Sequence, residues 1–290
     1  MDPPSSGGVH IVQMLNMLEN TDLQSKGLNS AEYTHLLAET MRRAYADRSS
    51  YLGDPAFTDV PVAGLTSKAY AKELFEDISL THATASSDIG PGNPLPYESD
   101  ETTHYSVTDK DGNAVAVTYT LGFSFGNGLV ADGTGILLNN TMGGFSAKPG
   151  TPNAFGLLGG EANAIEAGKR PLSSMTPTII VKDGEPFLVT GSPGGSRIIT
   201  ATLQVILNAI DHGLNIAEAT NAIRIHHQWH PDEIRTERGF PIDTKRILEG
   251  MGHKVVIKNA MGSTQSIMRV GDEWQGASDP RRDGAKTIGY

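Results

Sequence analysis

The periodicity of the sequence changes once along the chain, and that change limits the fold more than any other feature. As far as about residue 80, apolar residues recur at helical spacing. Ile11, Met14, Leu15 and Leu18 form one such stripe; Leu36, Leu37, Met41 and Tyr45 form a second, on a helix that Ser30 can cap and that runs towards Arg48. Ser67 can cap a third, through Leu74 and Ile78. A loose stretch from Ser86 to Pro96 then sets Pro91, Pro94 and Pro96 among glycines, which predicts exposed, flexible chain up to residue 101, a suitable place for a chain break.

Beyond Thr102 the pattern becomes that of strands. Tyr105 to Thr108 and Ala114 to Thr120 flank a predicted hairpin tip at Asp109-Lys110-Asp111-Gly112-Asn113. A glycine-rich stretch, Gly122 to Gly135, precedes a short apolar strand at Ile136 to Leu138. A second hairpin joins Thr178 to Val181 with Pro186 to Thr190. Gly191-Ser192-Pro193-Gly194-Gly195-Ser196 then leads into an amphipathic helix with Ile199, Leu203, Ile206 and Ile210 on one stripe and Gly213 as its stop. Asn215 with Glu218 has the form of a capping box, and Asp243 is the expected cap of a helix that stops near Gly252. Lys254 to Lys258, Ser266 to Val270 and Trp274 to Ala277 complete the strands. Helices, antiparallel strands, helices and strands in that order predict a layered α/β protein with packed sheets.

Composition narrows the function. With 290 residues and 38% hydrophobic content the chain can bury a substantial core. A net charge of −10 argues against nucleic-acid or anionic-membrane partners, and no run is apolar enough to span a bilayer. With 0 cysteines there is no thiolate nucleophile, disulfide or Cys-ligated metal. The first eight residues do not resemble a signal peptide.

Thr102 opens the strand region directly after Glu101. An internal threonine that cuts the Glu101–Thr102 bond becomes N-terminal, and its own α-amine can then serve as the base for its hydroxyl. Equally, Thr102 and Thr103 are β-branched residues starting a strand. The Gly194-Gly195 turn before a helix is an oxyanion hole, a phosphate site or simply a tight turn. Ser173-Ser174 can bind a carboxylate or satisfy their own backbone. His226, His227, His230, Asp232 and Glu233 crowd around Trp229, as a metal site or as a satisfied polar loop. Arg197 can meet an anionic substrate, and Arg42-Arg43 and Arg281-Arg282 are expected on solvated faces.

Several strings resemble one family. TTHYSVTDKDGNAVAV from Thr102, PLSSMTPT from Pro171, GSPGGSRIIT from Gly191 and MGSTQS from Met261 resemble the small subunit of γ-glutamyltranspeptidases (glutathione hydrolases). DPPSSGGVHIVQ from Asp2 and YADRSSYLGDP from Tyr45 resemble the end of the large subunit. The resemblance implies an N-terminal-nucleophile hydrolase fold, an αββα sandwich incomplete here for want of the early large subunit. It implies residues 1–101 from the large subunit and 102–290 as the small subunit, associated after self-cleavage. It implies Thr102 as nucleophile, Thr120 as an assisting hydroxyl, Gly194 and Gly195 as the oxyanion hole, and Ser173 and Ser174 as holders of the substrate α-carboxylate. The implied reaction moves a γ-glutamyl group from glutathione or a related amide to water or an amine, with no cofactor, in a periplasmic or secreted setting. Two departures bear on recognition: Gly122 stands where asparagine is usual, and Thr141, Met142, Gly143 and Gly144 stand where a polar residue, methionine and an acidic pair are usual. The acid absent at Gly144 would have held the substrate α-ammonium. A glutaryl- or cephalosporin-acylase-like amide hydrolase and a non-catalytic, unprocessed fragment are the alternatives.

Overall fold

The computed structural model describes residues 1–95 and 113–288. Both Glu101 and Thr102, and the predicted strand Tyr105 to Thr108, lie outside the described residues. The first part is helical: α1 (Gly7–Leu18), α2 (Leu23–Lys26), α3 (Ala31–Tyr51), α4 (Val62–Leu65) and α5 (Lys68–Glu76). Ser30 and Ser67 do cap, each hydroxyl accepting the third amide of its helix, from Tyr33 at 3.1 Å and from Tyr70 at 3.4 Å.

A four-stranded antiparallel sheet follows, in the order β1 (Thr178–Lys182), β2 (Glu185–Gly191), β6 (Gln265–Val270), β7 (Glu273–Ser278). Helix α6 (Arg197–Ile210) packs on β2 and α1, and every residue from Ile198 to Ala209 is buried. α7 (Ile216–Asn221) begins with the predicted capping box: Asn215 accepts from the Glu218 amide and Glu218 accepts from the Asn215 amide. The main core joins Met14, Met17, Leu37 and Met41 to Ile199, Leu203 and Ile206, all at most 2% exposed. At roughly 1.5–3 kcal/mol for each fully buried large aliphatic side chain, this α1–α3–α6 contact is the principal apolar term of the fold.

A second sheet joins β3 (Ile225–His226) and β4 (Ile234–Thr236), at the two ends of the stretch read as a polar loop, to β5 (Val255–Ile257), which lies within the strand expected from Lys254 to Lys258. Its β4–β5 pair is parallel, with α8 (Ile242–Gly250) as the crossover. β3 and β4, two and three residues long, are too short to show a period, which is why the pattern hid them. Three further expectations change. Ala114 to Thr120 forms no strand; its expected hairpin partner lies outside the described residues. Ile136 to Leu138 makes one isolated bridge, Val130 with Leu137. Pro241, not Asp243, takes the cap position of α8, while Asp243 accepts the Thr244 amide from inside the first turn.

The arginine pairs also change place. Arg42 and Arg43 are 2% exposed and bracket Glu39, while Arg281 is largely buried against Glu237 and Asp279. Only Arg282 of the four is exposed. Carboxylates make these burials tolerable, some a turn or less away (Glu39, Asp279) and others distant in sequence (Asp77, Asp232, Glu237).

Candidate active site

One cavity of about 440 Å³ collects most of the predicted site. Thr120, Ser173, Ser174, Gly194 and Gly195 all line it, together with Gly122, Thr141, Gly143 and Gly144. Four separate segments deliver them.

The Gly194–Gly195 turn opens α6. Gly195 has φ +61° and Gly194 φ +140°, and a Cβ on Gly195 would sit 2.6 Å from the Phe155 ring, so both backbone shape and close contact demand glycine. Among the described residues neither amide donates a hydrogen bond, while the Arg197 and Ile198 amides turn back to the carbonyls of Gly194 and Gly195. Unpaired amides at the start of a 14-residue helix, on a cavity wall, can receive developing negative charge.

Ser173 is held by backbone pairing to the first residues: its amide donates to Pro4 at 2.8 Å, and its carbonyl accepts from the Ser6 amide and hydroxyl. The Ser173 hydroxyl accepts the Met175 amide, so this serine in part satisfies its own backbone. Ser174 accepts instead from Arg48 Nη2 at 3.1 Å. Arg48 also donates to Ser6 Oγ at 3.0 Å and forms no ion pair among the described residues. Burial pulls its guanidinium down to about 10, which leaves it a cation at neutral pH. An unpaired, buried guanidinium beside two serine hydroxyls is suited to a carboxylate. Thr120 is exposed at the cavity and its hydroxyl accepts the Gly122 amide at 2.9 Å.

Among the described lining residues Arg48 is the one charged side chain, and none is a carboxylate. The wall at Thr141 to Gly144 is a 3₁₀ turn tied to the serine segment by Asn163, which donates to the Gly144 carbonyl and accepts the Leu172 amide. Gly122, at φ +95°, has no room for a Cβ, which would fall 2.0 Å from Asn140 Oδ1.

The last turns of α3 tie these parts together. Tyr45 donates its hydroxyl to the Ser196 carbonyl, next to the Gly194–Gly195 turn. Arg48 reaches the serines. Asp47 accepts from Gln13, Tyr70 and the Gly92 amide, the last at 2.8 Å, and burial pushes its carboxyl up to about 6. Tyr51 donates to the Gly92 carbonyl at 2.6 Å. None of these four residues was given a site role by sequence reasoning, although all lie in the family-like string from Tyr45 and Tyr45 was read as part of the apolar stripe.

The histidine-rich stretch does not gather as a ligand set. His226 bonds Thr200 and Gln228, His227 bonds Asp232, and Glu233 pairs with Lys254 and Lys258. A different trio, His35, Glu39 and His253, brings ligand-type atoms within 4.8 Å of one another. There Glu39 is already matched by Arg42, Arg43 and the Thr84 amide, and two guanidiniums repel a further cation. His35 donates to the Ser79 carbonyl and accepts from His253, so the trio reads as a packed polar network. Arg197 is partly buried near Tyr45 and Arg235 and lies outside the cavity lining.

The gamma-glutamyltranspeptidase family profile matches residues 1–289. The chain belongs to that family. It is 62% identical over 291 residues to the glutathione hydrolase proenzyme of Escherichia coli K12, which covers all of this chain and 50% of that protein. An acylase ACY 1 proenzyme from Pseudomonas sp. strain SE83 is 40% identical over 256 residues, 88% of this chain and 43% of that one. The chain therefore spans about half the length of the curated relatives it matches. Among solved structures, a cephalosporin acylase from Bacillus halodurans superposes over 100% of this chain and 51% of its own, at 27% identity and TM-score 0.83. An acivicin-inhibited gamma-glutamyltranspeptidase aligns its entire chain with 63% of this one, at 55% identity and TM-score 0.60. The mixed helix and sheet arrangement is thus that of the N-terminal-nucleophile hydrolases.

Proposed function

We propose that this family member is a self-cleaving threonine amidohydrolase and acyltransferase. Convergence of Thr120, Ser173, Ser174, Gly194 and Gly195 on one cavity is the observation that carries the reading. In it, the Thr102 hydroxyl attacks the Glu101 carbonyl, and water resolves the resulting ester into chains 1–101 and 102–290. The second is about two thirds of the whole, close to the 63% that one complete transpeptidase chain spans. The two chains remain associated. The freed α-amine takes the Thr102 hydroxyl proton as that oxygen attacks a substrate amide, and the tetrahedral oxyanion rests on the Gly194 and Gly195 amides. Collapse expels the amine with that proton and leaves an acyl ester on Thr102, which water or a second amine resolves. Thr120 assists the nucleophile, and Ser173, Ser174 and Arg48 hold the carboxylate of the acyl group.

For the donor, the glutathione hydrolase relatives support a γ-glutamyl amide such as glutathione. A second reading has its own observation: with no carboxylate among the described lining residues, nothing there would pair an α-ammonium, and a glutaryl-type acyl group needs none. The acylase relatives support this second reading.

Intact mass after incubation at neutral pH tests the chemistry, with Thr102→Ala as control. Fragments of 101 and 290 − 101 = 189 residues in the parent alone are expected. A full-length protein that stays uncut and hydrolyses neither γ-glutamyl nor glutaryl p-nitroanilide would identify a non-catalytic protein instead. Turnover of both anilides side by side decides the donor.

A further inference from the structure

The sequence leaves 226–233 as a metal site or a satisfied polar loop. One residue of it, Gln228, reaches two walls of the cavity. Its side-chain oxygen accepts from Ser196 Oγ at 2.8 Å and from His226 Nε2 at 2.8 Å. Its side-chain nitrogen donates to the Phe155 carbonyl at 3.1 Å and to the His230 carbonyl at 3.1 Å. Every hydrogen-bonding position of the amide is filled, and the residue is 8% exposed. The two carbonyls determine its orientation, since a flipped amide would set oxygen against oxygen. His226 is locked in turn, because it donates through Nε2 and its Nδ1 accepts from Thr200 at 2.8 Å.

The two walls so joined are the ones that touch each other at the oxyanion turn. Ser196 directly follows Gly195, and its carbonyl is held from below by Tyr45. Phe155 lies over Gly195 closely enough to exclude a Cβ, and meets Phe123 edge to face at 5.8 Å. Gly156 leaves the space through which Gln228 passes: a Cβ there would be 3.3 Å from its nitrogen.

We propose that Gln228 is a positioning residue that couples the Gly194–Gly195 turn to the Phe155 wall, so that turnover depends on a side chain outside the cavity lining. The inference rests on the reading of that turn as the oxyanion hole. Without the bond to Ser196 the turn rotates on its glycines, and without the bond to the Phe155 carbonyl the ring no longer limits that rotation. A misdirected oxyanion amide weakens the transition state more than substrate binding, so the loss falls on kcat.

The test uses the full-length protein and whichever p-nitroanilide the parent hydrolyses. Gln228→Met keeps the volume and removes all four bonds; Ser196→Ala removes one of them and leaves a small side chain. For Gln228→Met, kcat is expected to fall about 30-fold or more, approaching the roughly 10²- to 10³-fold of outright loss of an oxyanion donor, with KM changed less than about threefold. The double variant is expected to be no slower than Gln228→Met alone within about twofold, because both changes act through one bond. A kcat within about threefold of the parent for Ser196→Ala, or single effects that multiply in the double variant, overturns the assignment. If Gln228→Met does not fold, the Ser196→Ala result decides by itself. A parent inactive on both anilides overturns the amidohydrolase reading and this inference with it; an active parent with unaffected variants overturns this inference alone.

Discussion

The acyl pocket can be rebalanced by one substitution, Gly144→Asp. Gly144 closes the 3₁₀ turn on the cavity wall and its φ is not in the left-handed region, so the backbone accepts a side chain. A Cβ there would meet the Leu172 carbonyl at 3.1 Å and Pro171 Cβ at 3.3 Å, which asks for a shift of a few tenths of an ångström. The new carboxylate would be the first acid among the described lining residues. At about 4 Å and an effective dielectric near 20, its bare attraction for a substrate ammonium is about 4 kcal/mol. Desolvation returns part of this, and a charge-assisted hydrogen bond nets roughly 1.5–3 kcal/mol. At 1.36 kcal/mol per decade, that is about 10- to 150-fold in kcat/KM. The assay is the ratio of kcat/KM for γ-glutamyl over glutaryl p-nitroanilide, measured for parent and variant at neutral pH. The ratio should rise by about tenfold or more, with glutaryl turnover no better than in the parent. A ratio that moves less than about threefold, in a variant with unchanged melting temperature, would refute the assignment of this wall to ammonium recognition. So would equal losses on both donors, the signature of the new carboxylate capturing Arg48 instead.

Three further outcomes follow from the same geometry. Arg48→Lys keeps the charge but loses the two-pronged contact to Ser6 and Ser174, so KM for carboxylate-bearing donors should rise about tenfold with a smaller change in kcat, read from initial rates. Gly195→Ala forces a side chain onto φ +61° and into Phe155, and should lower kcat about 10²- to 10³-fold while circular dichroism stays unchanged. Asp47 is raised from 3.8 to about 6 by burial, so the folded state binds a proton that the unfolded state gives up between those values. Its contribution is full below pH 3.8 and is lost as pH climbs through about 6, and Asp47→Asn should remove up to about 2 kcal/mol of the stability difference between urea melts at pH 4.5 and 7.

Local chemistry made the helices and the central sheet legible. Ser30, Ser67 and the Asn215–Glu218 box cap where expected, and the stripe Ile199–Leu203–Ile206 is the face that packs in the core. The Gly194–Gly195 turn was legible because glycine is demanded by backbone shape, which sequence records. What escaped were contacts between distant residues. Arg42 and Arg43 are ordinary surface arginines by composition; Glu39 is their neighbour on α3, but only folding brings Asp77 and Asp232 to them. Gln228 escaped for the same reason, since a glutamine in a polar stretch carries no mark of the four partners that enclose it. Arg48 was hidden by its own helix: at 5% exposed, it is a cation on a buried face, and only the loop carrying Ser174 explains it.

The site divides by how its groups are held. The Gly194–Gly195 turn, proposed as the oxyanion hole, is fixed by glycine backbone and clamped by two buried side chains, Tyr45 of α3 and Gln228. The wall at Thr141 to Gly144 is a partly exposed 3₁₀ turn, where Gly143 has open space around its Cβ position and Gly144 needs a shift of a few tenths of an ångström. A substitution on that wall meets loop atoms and solvent; one in the turn meets the Phe155 ring and the Gly262 backbone. Acyl specificity can therefore shift at 141–144 with little penalty to the chemistry, while the reverse is closed. That asymmetry predicts that activity and stability stay coupled for changes at Gly194, Gly195 and Gln228. At Gly143 and Gly144 donor preference should change without loss of melting temperature.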